Sequence, residues 1–331
     1  MQISCSKTIF IFFVVVLFLI ICYFNFPRES GYPILQVFPG VFKRGSGIYV
    51  MPSSIHGMPG YVIDPFPEWE KNRNHYDSRD GMSVKYLILH YTVYNFAHII
   101  TAFTSNRAHN LHSSHYVISE KEGKYLPGGK VIQIVPDNMR AWHAGIGKWR
   151  RDRNLNSMSI GIHLVNGGVV GEKFRSTNST NYYPFDENQI HTLGLLGKDI
   201  VSQFKIKPQY VLGHTDIAPG SKMDPGPLFP WGKLYLDYGI GAWLSPDEMT
   251  VEAIVRKFKP ARPYPRKLDR GIFLELLKAY GYNVTITNKR SVIRAFKTHF
   301  SANQNPERIY ADITTEDMFW AWALVAKYGS M

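Results

Sequence analysis

The sequence predicts an α/β protein in which a mixed central sheet is flanked by helices. Short apolar runs of the kind that form buried strands alternate with amphipathic stretches along the middle of the chain, as they do where strands and helices share one core. Of the 331 residues, 45% are hydrophobic and only 19% are charged, which permits a sizeable core and excludes a disordered chain. The length also leaves room for a smaller second unit.

The first 27 residues have the pattern of a membrane signal anchor. Every residue from Ile9 to Phe24 is apolar, Cys or Tyr, and Lys7 precedes this run. Because the small-x-small pattern of a cleavable signal is missing, we expect an uncleaved anchor over 1–27, with the positive flank in the cytoplasm and the body outside. Lipidation of Cys22 is the alternative, and it also leaves the body attached to a membrane.

The two cysteines and the net charge restrict the chemistry and the partners. Cys5 and Cys22 both lie in the N-terminal segment, so the folded body has no disulfide, no cysteine-bound zinc and no cysteine nucleophile. The 38 Lys and Arg residues against 26 Asp and Glu residues give a net charge of +12, which no basic arm concentrates. This charge suits an anionic surface or polymer. We therefore expect no nucleic-acid partner, and we expect a monomer.

The main body is predicted over 83–244, after a Gly-, Pro- and Ser-rich tether over 28–82. Its five predicted strands are the apolar runs at 85–92, 115–119, 131–135, 159–165 and 210–214. A short helix is expected near 97–104, and a long amphipathic helix follows the cap Asp186 as far as Phe204. Strands and helices in this order predict a mixed sheet covered by helices.

A second unit is predicted after residue 244. The stretch 245–270 is interpreted as a basic linker, because from Arg256 to Arg270 it carries seven Lys or Arg residues, one Asp and three prolines. Three helical patterns follow, near 271–280, 290–300 and 315–328. They predict a small all-α domain of three helices over 271–331, with room for a binding surface but not for an enzyme site.

Two histidines end apolar strands and point to a metal centre. His90 and His214 each follow a buried run, and Asp224 comes ten residues after His214 in a loop rich in Pro and Gly. Two histidines and one carboxylate leave a tetrahedral position open for water, which is typical of a catalytic zinc site with one Zn²⁺. Such a site makes amide hydrolysis possible without a covalent nucleophile. Lys222 lies close enough in sequence to stabilise an oxyanion.

Other residues offer weaker alternatives for this site. His109, His112 and His115 recur every third residue, but they lead from a loop into a strand rather than along one helical face. Asp216 is an alternative to Asp224 as a ligand, yet it lies only two residues from His214, and a contact behind the ligands is expected instead.

Five motifs in a fixed order carry a resemblance to a known family. They are Leu89-His90-Tyr91-Thr92, Ser114-His115-Tyr116, Ala141-Trp142-His143-Ala144-Gly145, Ser159-Ile160-Gly161-Ile162 and the loop from Gly213 to Pro227. Together they resemble the zinc-dependent N-acetylmuramoyl-L-alanine amidases, the family that also includes the peptidoglycan recognition proteins. The likeness begins near Lys85 and continues into the C-terminal helices.

The resemblance implies an activity and a substrate. His90, His214 and Asp224 would hold the zinc ion, and Lys222 would act as the electrophilic helper. The substrate would be the amide between N-acetylmuramic acid and the L-alanine of the stem peptide, in peptidoglycan or muropeptides. The C-terminal helices resemble a peptidoglycan-binding domain, and the body would lie in the periplasm of a bacterial cell envelope.

Three further residues, Trp142, His143 and Asn156, are assigned to substrate binding. One departure from the family pattern concerns His163, because the family places a glutamate at this position as the general base. The imidazole of His163 is a candidate base, a candidate fourth zinc ligand that would close the site, or a residue without a role. Two other functions therefore stay open, a catalytically silent peptidoglycan-binding protein and a zinc hydrolase of another amide.

Overall fold

The computed structural model describes residues 42–44, 47–49, 63–65, 75–104, 112–121, 128–170, 181–302 and 305–329. The predicted anchor over 1–27 lies outside these residues and stays a prediction. In the described part of the chain, no helix is both long enough and apolar enough to cross a membrane.

Within the described ranges, ten strands build a six-stranded mixed sheet and two small antiparallel pairs. The strands are β1 (Phe42–Arg44), β2 (Gly47–Tyr49), β3 (Ile63–Pro65), β4 (Tyr76–Ser78), β5 (Tyr86–Thr92), β6 (Tyr116–Ile118), β7 (Val131–Gln133), β8 (Met139–Ala141), β9 (Ser159–Val165) and β10 (Val211–Gly213). The main sheet has the order β10-β5-β9-β6-β7-β3, in which only β6 and β7 pair antiparallel. The predicted mixed sheet is confirmed.

Eight α-helices accompany these strands in the described chain. They are α1 (Phe96–Thr104), α2 (Glu187–Phe204), α3 (His214–Ile217), α4 (Trp231–Tyr238), α5 (Val251–Phe258), α6 (Arg270–Tyr280), α7 (Lys289–Phe300) and α8 (Thr315–Tyr328). The predicted cap of the long helix is confirmed, because the Asp186 carboxylate accepts a hydrogen bond from the Gln189 backbone N–H at 3.0 Å.

Strand β5 lies in the middle of the core and is buried on both faces. Leu87 and Leu89 pack into a cluster with α2 and α4, while Tyr86 and Ile88 face a second cluster. Alternate side chains of a strand point to opposite faces of the sheet, so the continuous apolar run serves two layers. Both layers hold the end of β5, where His90 lies, in a fixed position.

The second cluster joins the sheet to the C-terminal helices. It includes Tyr86 and Ile88 from β5 together with Phe273, Phe296 and Trp322 from α6, α7 and α8. The three predicted helices are present, but they share one hydrophobic cluster with the sheet. The boundary drawn at residue 271 between two domains stays a prediction.

Two segments hold more regular structure than the sequence predicted. The stretch interpreted as a basic linker contains helix α5, which is capped by Thr250 and buries Ile254. The dense positive charge and the prolines of this stretch favoured a linker, so the two-turn helix was not predicted. The stretch 28–82 was interpreted as a tether, but β3 pairs with β7 and β4 pairs with β8. Strands of three residues are too short to show a period of two.

Candidate metal centre

The strand register brings three histidines side by side at one edge of the main sheet. In the parallel pair β10–β5, Gly213 lies opposite Leu89, so His214 follows at the level of His90. In the pair β5–β9, His90 lies directly opposite His163. Sites of α/β proteins form at the carboxyl ends of parallel strands, where these side chains meet.

The loop after α3 returns a carboxylate to the two strand-end histidines. The Thr215 backbone N–H donates to the Asp224 backbone carbonyl at 2.9 Å, which closes this loop. The Asp224 Oδ2 atom then lies 2.9 Å from His90 Nδ1 and 3.0 Å from His214 Nδ1. The two Nδ1 atoms are 3.0 Å apart, so three ligand atoms form a nearly equilateral triangle.

This triangle fits a tetrahedral zinc ion. Ligand atoms at about 2.0–2.1 Å from zinc are separated from one another by about 3.3 Å, close to the observed spacing. Among the described residues, His90, His214 and Asp224 are the only group of three such side chains that could hold a metal ion. The three predicted ligands are therefore brought together, and no other described group competes with them.

A chain of hydrogen bonds fixes the tautomer of His90. The Ser159 hydroxyl donates to the Leu155 carbonyl at 2.5 Å, so its oxygen accepts the Nε2–H of His143 at 3.1 Å. His143 Nδ1 is then an acceptor, and it receives the Nε2–H of His90 at 3.0 Å. The Nδ1 lone pair of His90 is therefore directed at the other two ligand atoms, as metal binding requires.

The glycine of the Ser159-Ile160-Gly161-Ile162 motif makes room for this chain. A Cβ atom on Gly161 would come within 2.6 Å of the His143 ring. The motif thus supplies both the hydroxyl that holds His143 and the space in which its ring lies. No local signal in the sequence reveals this role, because Ser159 and His143 are 16 positions apart.

The protonation states of His90 and Asp224 also suit a metal ion. Burial, and then the charge of the neighbouring His214, lower the pKa of His90 to about 4 against the opposing effect of Asp224, so the imidazole is neutral at neutral pH. Burial raises the pKa of Asp224, but the charge of His214 and the hydrogen bonds from both histidines outweigh it and lower the net pKa. Neutral imidazoles and an ionised carboxylate are the forms that bind metal.

His163 stacks on His90 instead of joining the triangle. The ring centroids are 4.3 Å apart and the planes are within 4° of parallel, and the Phe103 ring packs against His163 in a T-shaped contact. A metal bound by an imidazole lies in the ring plane, and two parallel planes do not share a metal. The geometry therefore argues against His163 as a fourth ligand. Its Nδ1 atom is buried and has no hydrogen-bond partner among the described residues.

Lys222 is exposed on the loop between α3 and Asp224. Its positive charge is near enough to contribute to lowering the pKa of His90, after burial and the effect of His214. Lys222 also lines a small cavity with Thr215 and Met223. The predicted electrophile thus lies beside the metal triangle with its ammonium group accessible.

The three predicted substrate-binding residues lie in different surroundings. The His143 ring is buried behind His90, which argues against its assignment to the substrate groove. The Asn156 side chain is also turned inward, because its Oδ1 accepts the backbone N–H groups of His143 at 3.0 Å and Ala144 at 2.7 Å. Trp142 is half-buried, and its indole donates to Asp77 at 3.2 Å. The inward orientation of the first two side chains argues against a substrate contact, and the assignments stay predictions.

Asp216 connects the metal-bearing segment to the C-terminal helices. Its carboxylate accepts hydrogen bonds from the Gly213 backbone N–H at 2.7 Å, from His299 Nδ1 at 2.7 Å and from the Tyr282 hydroxyl at 2.6 Å. It is not a metal ligand, and the expected contact behind the ligands is made through the backbone next to His214. His299 and Tyr282 were missed because both lie more than 60 positions away.

The histidine repeat at 109, 112 and 115 does not form a metal cluster among the described residues. His109 lies outside them. His115 is used inside the fold, because its Nε2 contacts Arg79 at 2.8 Å and its Nδ1 accepts the Gly161 backbone N–H at 3.0 Å. His112 lies at the surface, but part of its ring is covered by protein, and this partial burial, followed by the charge of Lys222, lowers its pKa.

Comparisons with known proteins agree with this fold and site. Residues 80–227 match the family model for N-acetylmuramoyl-L-alanine amidase. The N-acetylmuramoyl-L-alanine amidase AmiD of Escherichia coli K12 is 38% identical over 250 residues, which are 74% of this chain and 84% of AmiD. The chain therefore belongs to the N-acetylmuramoyl-L-alanine amidase family.

Two solved structures are similar over most of their length. AmiD from E. coli, in complex with the substrate anhydro-N-acetylmuramic acid-L-Ala-D-γ-Glu-L-Lys, matches 88% of this chain and 98% of its own, with a TM-score of 0.59 and 32% identity. AmpDh3 from Pseudomonas aeruginosa matches 84% of this chain and 99% of its own, with a TM-score of 0.61 and 29% identity.

Proposed function

We propose that this chain is a zinc-dependent N-acetylmuramoyl-L-alanine amidase. It cleaves the amide between N-acetylmuramic acid and the L-alanine of the stem peptide, in peptidoglycan or in soluble muropeptides. The observation that carries the proposal is the triangle of His90, His214 and Asp224 in a chain of this family. The substrate bound to E. coli AmiD, a muramyl peptide that contains this amide, supports the choice of bond.

The metal ion would be held by His90 and His214 through Nδ1 and by Asp224 through Oδ2. When zinc is bound there, it supplies a water whose pKa is lowered to about 7 and a Lewis acid for the substrate carbonyl. His143 and Ser159 keep His90 in the required tautomer. These two residues act through His90 and not on the substrate.

Lys222 and His163 supply the remaining groups for hydrolysis. The exposed ammonium of Lys222 stabilises the negative charge that develops on the carbonyl oxygen. His163 takes the proton of the attacking water at its unpartnered Nδ1, because burial holds its pKa well below 6.5 and leaves the ring neutral. In this chain an imidazole therefore acts as the general base, in place of the glutamate that the family has at this position.

One incubation tests the reaction and its cofactor together. The full chain in detergent is mixed with purified anhydro-muropeptides, with and without a chelator, and the products are identified by mass. We expect free stem peptide only in the absence of chelator, with recovery when zinc is added back. Cleavage at another amide would support a different zinc hydrolase, and product formation in excess chelator would contradict zinc dependence.

A second candidate function is a silent peptidoglycan-binding protein. The observation that favours it is the substitution of the family's glutamate by His163, which removes the usual base. Sedimentation of the chain with insoluble peptidoglycan, combined with no release of stem peptide over days, would support this function.

We also propose that the body lies in the periplasm, attached to a membrane through residues 1–27. The support is the apolar run from Ile9 to Phe24 and the net charge of +12, which suits an anionic polymer. The C-terminal helices would contribute to binding peptidoglycan. Fractionation of cells with and without residues 1–27 tests the attachment, and labelling with a fatty acid distinguishes an anchor from a lipid on Cys22.

A further inference from the structure

The two histidines of the metal triangle are held in different ways. His90 donates its Nε2–H to His143, so a hydrogen bond fixes its ring through the nitrogen that is not directed at the other ligands. The Nε2 atom of His214 is buried and has no hydrogen-bond partner in the described part of the chain. Histidines that bind a metal usually donate this second nitrogen to a nearby acceptor. Without such an acceptor, the position of the His214 ring depends on the backbone that carries it.

The Asp216 carboxylate holds this backbone. The Gly213 backbone N–H donates to Asp216 Oδ2 at 2.7 Å, and Asp216 is completely buried. The packing around the turn is close, because a Cβ atom on Gly213 would lie 2.7 Å from Pro225 Cδ and 3.3 Å from the Trp231 ring. The carboxylate therefore ties the end of β10 to the first turn of α3, and His214 lies between the two.

Two donors from the C-terminal part of the chain hold Asp216 in turn. His299 Nδ1 donates to Asp216 Oδ2 at 2.7 Å, and the Tyr282 hydroxyl donates to Oδ1 at 2.6 Å. Burial, and then the charge of Asp216, raise the pKa of Tyr282 well above its ordinary value, so the hydroxyl keeps the proton that it donates. Each oxygen of this buried carboxylate thus has a donor from beyond the sheet, as a buried polar group requires.

The surroundings of His299 show what its imidazole contributes. The ring lies flat on Trp231, with centroids 3.7 Å apart and planes 17° from parallel. Its Nε2 atom is buried and has no hydrogen-bond partner among the described residues. Stacking alone would be met by any flat apolar ring. The hydrogen bond to Asp216 is therefore the interaction that requires a histidine at this position.

We propose that His299 and Tyr282 are positioning residues for the metal ligand His214. They act through the Asp216 carboxylate, which fixes the turn that carries His214. The inference rests on the metal site of the proposed function, and it gives the C-terminal helices a part in metal binding. Both side chains are buried behind the turn. We therefore expect them to affect the affinity for zinc.

Zinc affinity in a chelator competition tests the inference on the full chain in detergent. His299→Phe keeps a flat ring on Trp231 but removes the donor, and Tyr282→Phe removes only the hydroxyl. Each should weaken zinc binding by about tenfold, the smaller end of the effect of removing a partner behind a metal ligand. His299→Asn has an amide N–H that can take the place of Nδ1–H, so it should recover part of the lost affinity. If His299→Phe does not fold, Tyr282→Phe still provides the test.

Val292→Ala is the matched control for a general loss of stability. Val292 is buried on α7, two turns before His299, and its apolar side chain makes no hydrogen bond to Asp216. The variant should unfold at a lower temperature because it leaves a cavity, but it should keep the wild-type zinc affinity. Wild-type zinc affinity in the two phenylalanine variants would overturn the inference. An equal loss of affinity in Val292→Ala would also overturn it.

The same measurements separate this inference from the proposed function. A wild type that binds zinc but releases no stem peptide would contradict the amidase activity, and the zinc affinities of the variants would still decide on the inference. Cleavage of muropeptides together with wild-type zinc affinity in both phenylalanine variants would support the amidase and contradict the inference. A wild type that binds no zinc would contradict both.

Discussion

His163 stacks face to face on His90, with ring centroids 4.3 Å apart and planes 4° from parallel. The two residues are direct partners in the parallel pair β5–β9, so the sheet fixes their contact. His163 is therefore placed beside the triangle of His90, His214 and Asp224 but is not a member of it. Because two parallel ring planes do not share a metal, the stacking argues against His163 as a fourth ligand.

The first prediction concerns His163 as the general base. His163→Ala should lower kcat by about two to four orders of magnitude, the usual effect of losing a general base, without loss of zinc. His163→Glu should keep or raise the activity, because a carboxylate also accepts the proton. His191→Ala, on α2, is the control. An inactive wild type that gains activity through His163→Glu would identify a silenced binding protein.

The pH dependence of kcat follows from the same residue. Burial, and then the charge of His90, lower the pKa of His163 well below 6.5, so the base form is fully present at neutral pH. Activity should therefore be constant near pH 7 and should be lost as the pH falls through this lowered pKa. The midpoint of this loss is measured from kcat as a function of pH, for wild type and for His163→Glu. Loss of activity with a midpoint above 6.5 would contradict the assignment.

The ligand assignment predicts the metal content. His214→Ala removes one of three ligand atoms, so zinc occupancy measured by mass spectrometry should be close to zero after dialysis. His191→Ala should retain zinc like the wild type. Full occupancy in purified His214→Ala would show that the metal, if bound, is held elsewhere.

The hydrogen-bond chain behind His90 predicts an effect on metal affinity. Ser159→Ala removes the acceptor that fixes His143, and it should weaken zinc binding by about tenfold to a hundredfold in a chelator competition. His143→Ala should have at least the same effect. Since neither residue reaches the substrate, KM should change little. A large rise in KM with unchanged zinc affinity would return His143 to the substrate groove.

Lys222 is predicted to act on the charge of the transition state. Lys222→Ala should reduce kcat by roughly two to three orders of magnitude while zinc content stays constant. Steady-state kinetics with a muropeptide substrate measures kcat and KM. An effect on KM alone would make Lys222 a binding residue.

The sequence predicted that His90, His214 and Asp224 come together, and two kinds of signal contributed. His90 and His214 stand at the ends of apolar runs and Asp224 lies in a loop rich in Pro and Gly, and the resemblance to a known family added the support that this spacing alone lacks. The inward orientation of His143 and Asn156 could not be predicted, because the direction of a side chain depends on distant partners. His143 contacts His90 across 53 positions, and no local pattern records that contact. Helix α5 was not predicted because two turns give only a short apolar pattern, and the density of positive charge around it is more typical of a linker.

The hydrogen bonds of Asp216 also bear on folding during synthesis of the chain. His90 precedes Asp224 by 134 positions, and Asp216 precedes its partner His299 by 83 positions. A growing chain therefore carries its first histidine ligand long before the carboxylate and the helices that hold the loop exist. We therefore expect the triangle of His90, His214 and Asp224 to be held in place only after α7 has been made, so a chain that ends before His299 should bind zinc more weakly.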